Sequence, residues 1–135
     1  MILRDLQLIE LRPEIPSARV SENMSLDEQF QNKTLRPIAK LQDELLLEVF
    51  RNYTKKHKNK FYELKLDQRL AYIENAIQKD IKFRNSLKGI IIGQFTLDEY
   101  ATYIKNSSAL NKRMMNIVKE RLQSNIQLLE EEVAY

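Results

Sequence analysis

Only two glycines occur in the sequence, and they lie four residues apart. Gly89 and Gly93 bracket Ile90-Ile91-Ile92 within KDIKFRNSLKGIIIGQFT, Lys79–Thr96. With only three prolines besides, 135 residues hold little of the turn material that a β-sandwich or barrel requires. A glycine inside a helix costs about 1 kcal/mol relative to alanine, so each of the two should have a backbone or packing reason. Gly89 and Gly93 are therefore read as structural breakers. Either Gly89 ends a helix and Thr96 opens the next, or a helix runs through and a second backbone packs against the glycines. In the first case one glycine takes positive φ; in the second a Cβ would clash. A membrane dimerisation role needs a long apolar span, which Arg84, Asn85, Ser86 and Lys88 interrupt. A phosphate-binding loop needs a preceding strand and either a third glycine or the Gly-Lys-Ser/Thr ending, none of which is present.

Helical periodicity and capping signals account for most of the chain. Ser25-Leu-Asp-Glu28 and Thr96-Leu-Asp-Glu99 have the spacing of capping boxes, in which a hydroxyl and a carboxylate each satisfy an orphan backbone donor. The first predicts a short helix over about residues 26–34, closed before Pro37. Pro37 suits a new first turn, followed by Ile38, Leu41, Leu45, Val49 and Tyr53 at helical spacing. Asp67 is placed as the cap of a helix with Leu70, Ile73, Ala76, Ile77 and Ile81 on one face. After Asn106-Ser107-Ser108 comes a last helix carrying Leu110, Met114, Ile117, Val118, Leu122, Ile126 and Leu129. Glu130–Glu132 oppose the dipole at its end and predict fraying. The expected fold is all-α: a compact bundle of four to six helices with an extended N-terminal arm.

That arm is residues 1–24, and residues 25–135 form a single helical domain. Pro13 and Pro16 hold their preceding residues extended. Leu3, Leu6, Leu8, Ile9 and Leu11 are too apolar for a free tail, so the arm should start with a short helix or strand docked on the body or on a second subunit. Met24 offers an alternative start. Charges at Arg4, Asp5 and Glu10 interrupt any signal-peptide core, and no window reaches transmembrane length, which predicts a cytoplasmic protein. The absence of cysteine suits a reducing compartment and removes thiolate ligands and nucleophiles.

The chain has one histidine, His57, so neither a histidine-based metal site nor a Glu-x-x-His di-iron pattern can be built. No nucleophile elbow accompanies any serine. The residues point to no catalytic group, no metal and no cofactor. Net charge is +3, from 22 basic and 19 acidic residues, and the excess is central: eight basic against five acidic over residues 25–60, six against four over 61–95. Lys55, Lys56, Lys58 and Lys60 surround His57 beside Tyr53, Phe61 and Tyr62, a pattern that suits phosphates and stacked bases. Lys79, Lys82, Arg84 and Lys88 form a second basic stretch. Met115, Val118, Leu122 and Leu129 fall at heptad spacing with Asn125 between them, adequate for a dimer contact. The leading expectation is a non-enzymatic helical interaction protein that binds a protein partner or itself. The alternative is a nucleic-acid or phosphate-binding module using the clusters at 55–60 and 79–88.

Three phrases, FQNKTLRPIAKLQ (residues 30–42), YIENAIQKDIKFRNSLKGIIIGQFT (residues 72–96) and NSSALNKRMMN (residues 106–116), resemble a family of small, uncharacterised bacterial helical proteins. The similarity extends over nearly the whole chain, arm included. Members of that family often carry the label glyoxalase. Glyoxalase I holds a metal with histidine or glutamine and glutamate on paired βαβββ modules, and glyoxalase II has a histidine-rich dimetal motif. One histidine in a helical pattern meets neither demand, so the label is not supported by the residues. The resemblance transfers no functional residue.

Overall fold

The computed structural model describes residues 1–130. Their regular structure is entirely helical, with no strand among them. The α segments are α1 (Leu3–Leu11), α2 (Leu26–Phe30), α3 (Arg36–Leu41), α4 (Asp43–Lys56), α5 (Leu66–Lys79), α6 (Ile81–Ile92), α7 (Leu97–Tyr103) and α8 (Ser107–Ser124). A π-helical turn, Gln31–Leu35, joins α2 to α3 without a break, so the eight segments make seven rods. The expectation of four to six helices is thus corrected upward. One extra rod comes from the arm, whose first half is helix α1 rather than extended chain. The other comes from a break at Asp80.

The organising element is α8. α8 packs against α3, α4, α5, α6 and the π-turn, and buries Leu110, Met114, Met115, Ile117, Val118 and Leu122. Burial of this face, not helix propensity, holds so long a rod in place. The heptad-spaced Met115, Val118, Leu122 and Leu129 are all buried in the chain's own core, so they form no dimer seam. Asn125 instead donates its amide to both Asp43 carboxylate oxygens, at 3.0 and 3.2 Å. Past Ser124 a 3-10 turn, Ile126–Leu129, returns Leu129 to the core. Of the fraying expected at Glu130–Glu132, residues 131 and 132 lie outside the described residues.

Elsewhere the helical phase differs from the periodicity in instructive ways. Pro37 stands in the first turn of α3, yet the preceding helix does not stop. Proline lacks an N–H and crowds the carbonyl four residues back, and the widened π-turn is where that misfit is absorbed. α4 buries Leu46, Leu47, Phe50 and Thr54, one position beyond the predicted stripe, and leaves Leu45 exposed. At the start of α5 the N-cap is Lys65, and Asp67 lies in the first turn. The stripe through Ile73, Ala76 and Ile77 is buried, but Ile81 is 60% exposed. α5 ends at Lys79, and Asp80 caps a separate helix, its carboxylate accepting from Phe83 N at 3.1 Å.

Both glycines depart from the sequence reading. Gly89 breaks nothing: it lies inside α6, and a Cβ there would meet no atom within 4 Å beyond its neighbouring residues and its own helix's backbone. Gly93 is the C-cap of α6, but with φ −60°, and the nearest atom to a new Cβ is the carbonyl of Gly89 on its own rod, at 3.0 Å. No glycine has positive φ, and neither makes a close approach to another helix. The left-handed residues are Lys58 and Asn59, φ 63° and 55°, which turn the chain after α4.

Candidate functional site

Three surfaces carry chemistry. The first is where α1 meets α7. Thr96 and Glu99 form the predicted capping box, Glu99 N donating to Thr96 Oγ1 at 3.1 Å and Thr96 N to Glu99 Oε1 at 2.8 Å. The same carboxylate accepts two bonds from Arg12, at 2.6 and 2.7 Å, and one from the Thr34 hydroxyl at 2.9 Å. Burial opposes the charge on Glu99, but Arg12, the Thr96 amide and Thr34 together overcome it and hold its pKa below the ordinary carboxylate value. Asp5, buried, accepts from Leu97 N at 3.1 Å. Arg4 donates to the carbonyls of Phe95 and Gly93 at 3.0 and 3.1 Å. The arm is docked on the body by polar groups.

Its apolar groups face outward. Asp5 is the buried residue of α1, while Leu3, Leu6, Ile9 and Leu11 are 42–68% exposed and Met1 and Ile2 more than half or about half so. Most amphipathic surface helices do the reverse. Leu97, adjacent to Asp5 through its amide, continues the apolar surface onto α7, where Tyr100 and Ile104 follow at helical spacing, all exposed. Met1, Ile9 and the 80%-exposed Leu26 share one groove between α1, α2 and α7.

The second surface joins parts of the two basic stretches. A hollow of about 580 Å³ is lined by Tyr53 and His57 of the α4 end, Tyr72 and Ala76 of α5, and Lys79, Asp80, Ile81 and Lys82. Tyr53 stacks on His57 and on Phe83, with ring centroids 4.2 and 4.1 Å away. Burial, reinforced by the Asp80 carboxylate and Tyr72, pushes the Tyr53 hydroxyl up to about 12, and burial also raises Tyr72. These are phenols held neutral, which can donate to a ligand but are poor bases. Lys55, Lys56, Lys58 and Lys60 are exposed but do not line the hollow. The stretch 79–88 is split, because the break at Asp80 re-aims α6: Arg84 and Lys88 line a different hollow.

That third surface flanks α8. One hollow, about 500 Å³, is lined by Gln78, Arg84, Lys88, Asn111 and Lys112 among others. A second, about 640 Å³, includes Arg36, Asn106, Lys112, Arg113 and Glu120. Ser108, Lys112 and Asn116 belong to both linings. Sequence reading missed Arg36, an isolated cation, and the adjacent pair Lys112-Arg113; Arg12 was equally hidden. The signal that pointed at Glu99 was its capping box.

Among the described residues no three histidine or carboxylate side chains come together as a metal-binding group, and no helix is long and apolar enough to cross a membrane. No family model matches the chain, and neither does any curated protein or solved structure.

Proposed function

We propose that the protein is a non-enzymatic helical interaction protein that associates with a second copy of itself through α1 and the adjoining exposed face of α7. One observation carries the reading: α1 buries its aspartate and turns Leu3, Leu6 and Leu11 to solvent. Leaving Leu3, Leu6 and Leu11 in water forfeits roughly 1.5–3 kcal/mol for each side chain that a contact would bury. The polar docking of Asp5, Arg4 and Arg12 holds that apolar face in a fixed orientation. Leu3, Leu6 and Leu11 are exposed, whereas Leu8 is half-buried. In a two-fold pair one such face serves both copies. α1 alone spans only about 13 Å, short of the roughly 800 Å² per partner of a stable interface. Leu97, Tyr100 and Ile104 extend it.

The test is multi-angle light scattering across a range of concentrations. The parent should move from monomer to dimer, and Leu3→Ser with Leu6→Ser should remain monomeric with unchanged helix content. A parent that stays monomeric at the highest concentration, or a double variant that dimerises as the parent does, overturns the reading.

A further inference from the structure

We infer that the two hollows flanking α8 form a binding surface for the phosphodiester backbone of a nucleic-acid duplex. Five cations line them, Arg36 and Arg113 on one side, Arg84 and Lys88 on the other, and Lys112 between. Glu120 is the one acid in either lining among the described residues, and it pairs with Arg36 at 3.9 Å. Asp27 lies close by, accepting the Asn106 amide at 2.9 Å. Arg84, Lys88, Lys112 and Arg113 have no carboxylate within ion-pair distance among the described residues. Arg113 and Arg84 are steered by neutral groups, Arg113 donating to the Gln31 side chain at 2.9 Å and Arg84 to the Gln78 carbonyl at 3.0 Å. Their positive charge is thus aimed but not neutralised.

The remaining lining narrows the ligand. Gln31, Asn106, Ser108, Asn111 and Asn116 offer uncharged donors and acceptors, and neither lining contains an aromatic side chain. Single-strand binders stack bases on aromatic rings, and no such platform exists here. An acidic peptide would need only a local cluster of cations. Here they spread to both sides of a stripe, Ser108 to Asn116, that runs about 12 Å along the helix. A duplex presents a charge every ~1.7 Å of its axis, so a surface of that length meets several phosphates at once. Neither lining includes Leu3, Leu6, Leu11, Leu97, Tyr100 or Ile104, the residues of the proposed self-association face.

Fluorescence anisotropy of the full chain with labelled 20-base-pair DNA, the same sequence as RNA duplex, and its single strand tests the assignment. Four unpaired cations predict a log–log salt slope of about −3.6, a loss of about a hundredfold in affinity from 50 to 200 mM salt. Lys88→Gln with Lys112→Gln should lower that slope by about two. Lys55→Gln with Lys56→Gln, outside both hollows, should leave duplex binding within twofold. Binding of either duplex with this pattern supports the inference, and the DNA and RNA arms say which source supplies the backbone. It is overturned by no duplex binding at 50 mM salt, by single strand binding tighter than duplex, or by loss of binding in the Lys55/Lys56 pair rather than the Lys88/Lys112 pair.

Discussion

Replacing Gly89 by alanine should stabilise this protein. Gly89 lies within α6, solvent-exposed, with helical φ and with no atom beyond its neighbouring residues and its own helix's backbone within 4 Å of the position its Cβ would take. Glycine in a helix interior costs about 0.8–1 kcal/mol relative to alanine, because the unfolded chain loses more conformational freedom and no contact compensates. Nothing at this position opposes that gain. With an m-value in urea of about 1–3 kcal/mol per molar, the midpoint should rise by roughly 0.3–1 M. Gly93→Ala is the counter-experiment. Its Cβ would come 3.0 Å from the Gly89 carbonyl, an atom already held by the Gly93 N–H at 2.9 Å and therefore not free to yield. That variant should lose about 1 kcal/mol, the usual scale of a forced local backbone shift. Urea unfolding followed by circular dichroism at 222 nm reads both. If Gly89→Ala melts at or below the parent, some group approaches that face of α6 and the open-surface reasoning is wrong. If Gly93→Ala is as stable as Gly89→Ala, the carbonyl contact does not constrain the cap.

Glu99→Gln should destabilise by about 2–3 kcal/mol, because it leaves the largely buried Arg12 guanidinium without its anion; urea unfolding at pH 7 checks this. Since the folded pKa of Glu99 is lowered, its contribution is complete above the unfolded value of about 4.5 and fades as pH falls through the lower folded value. The parent should therefore lose more stability than Glu99→Gln on acidification below pH 4.5, and parallel acid titrations of the two would contradict the assignment. Tyr53, pushed up to about 12, should contribute a late phase to a spectrophotometric titration, and Tyr53→Phe should remove that phase. The folded state holds that proton longer than the unfolded chain, so stability should fall as pH rises from about 10 to 12, and Tyr53→Phe should remove that part of the fall.

What the sequence by itself determined is what lies within one helical turn. Thr96 and Glu99 can satisfy each other's backbone donors whatever the rest of the chain does, so that helix start was legible, as were the Ser25 cap and the all-helical class. That a segment so rich in leucine calls for a contact was legible. Which side of it docks was not. Periodicity assigns apolar side chains inward, and only the body's exposed amide at Leu97 and carbonyls at Phe95 and Gly93 turn Asp5 and Arg4 inward instead. The same limit governs the basic residues. Lys79 through Lys88 reads as one stretch, but a cap at Asp80 rotates α6 and divides it between two hollows. Arg36 joins Lys112 and Arg113 only because α3 and α8 pack together. Caps are decided by contacts three residues apart and are readable from a string. Burial direction and charge clustering are decided by contacts up to about ninety residues apart, and they come into being only when the helices close on α8.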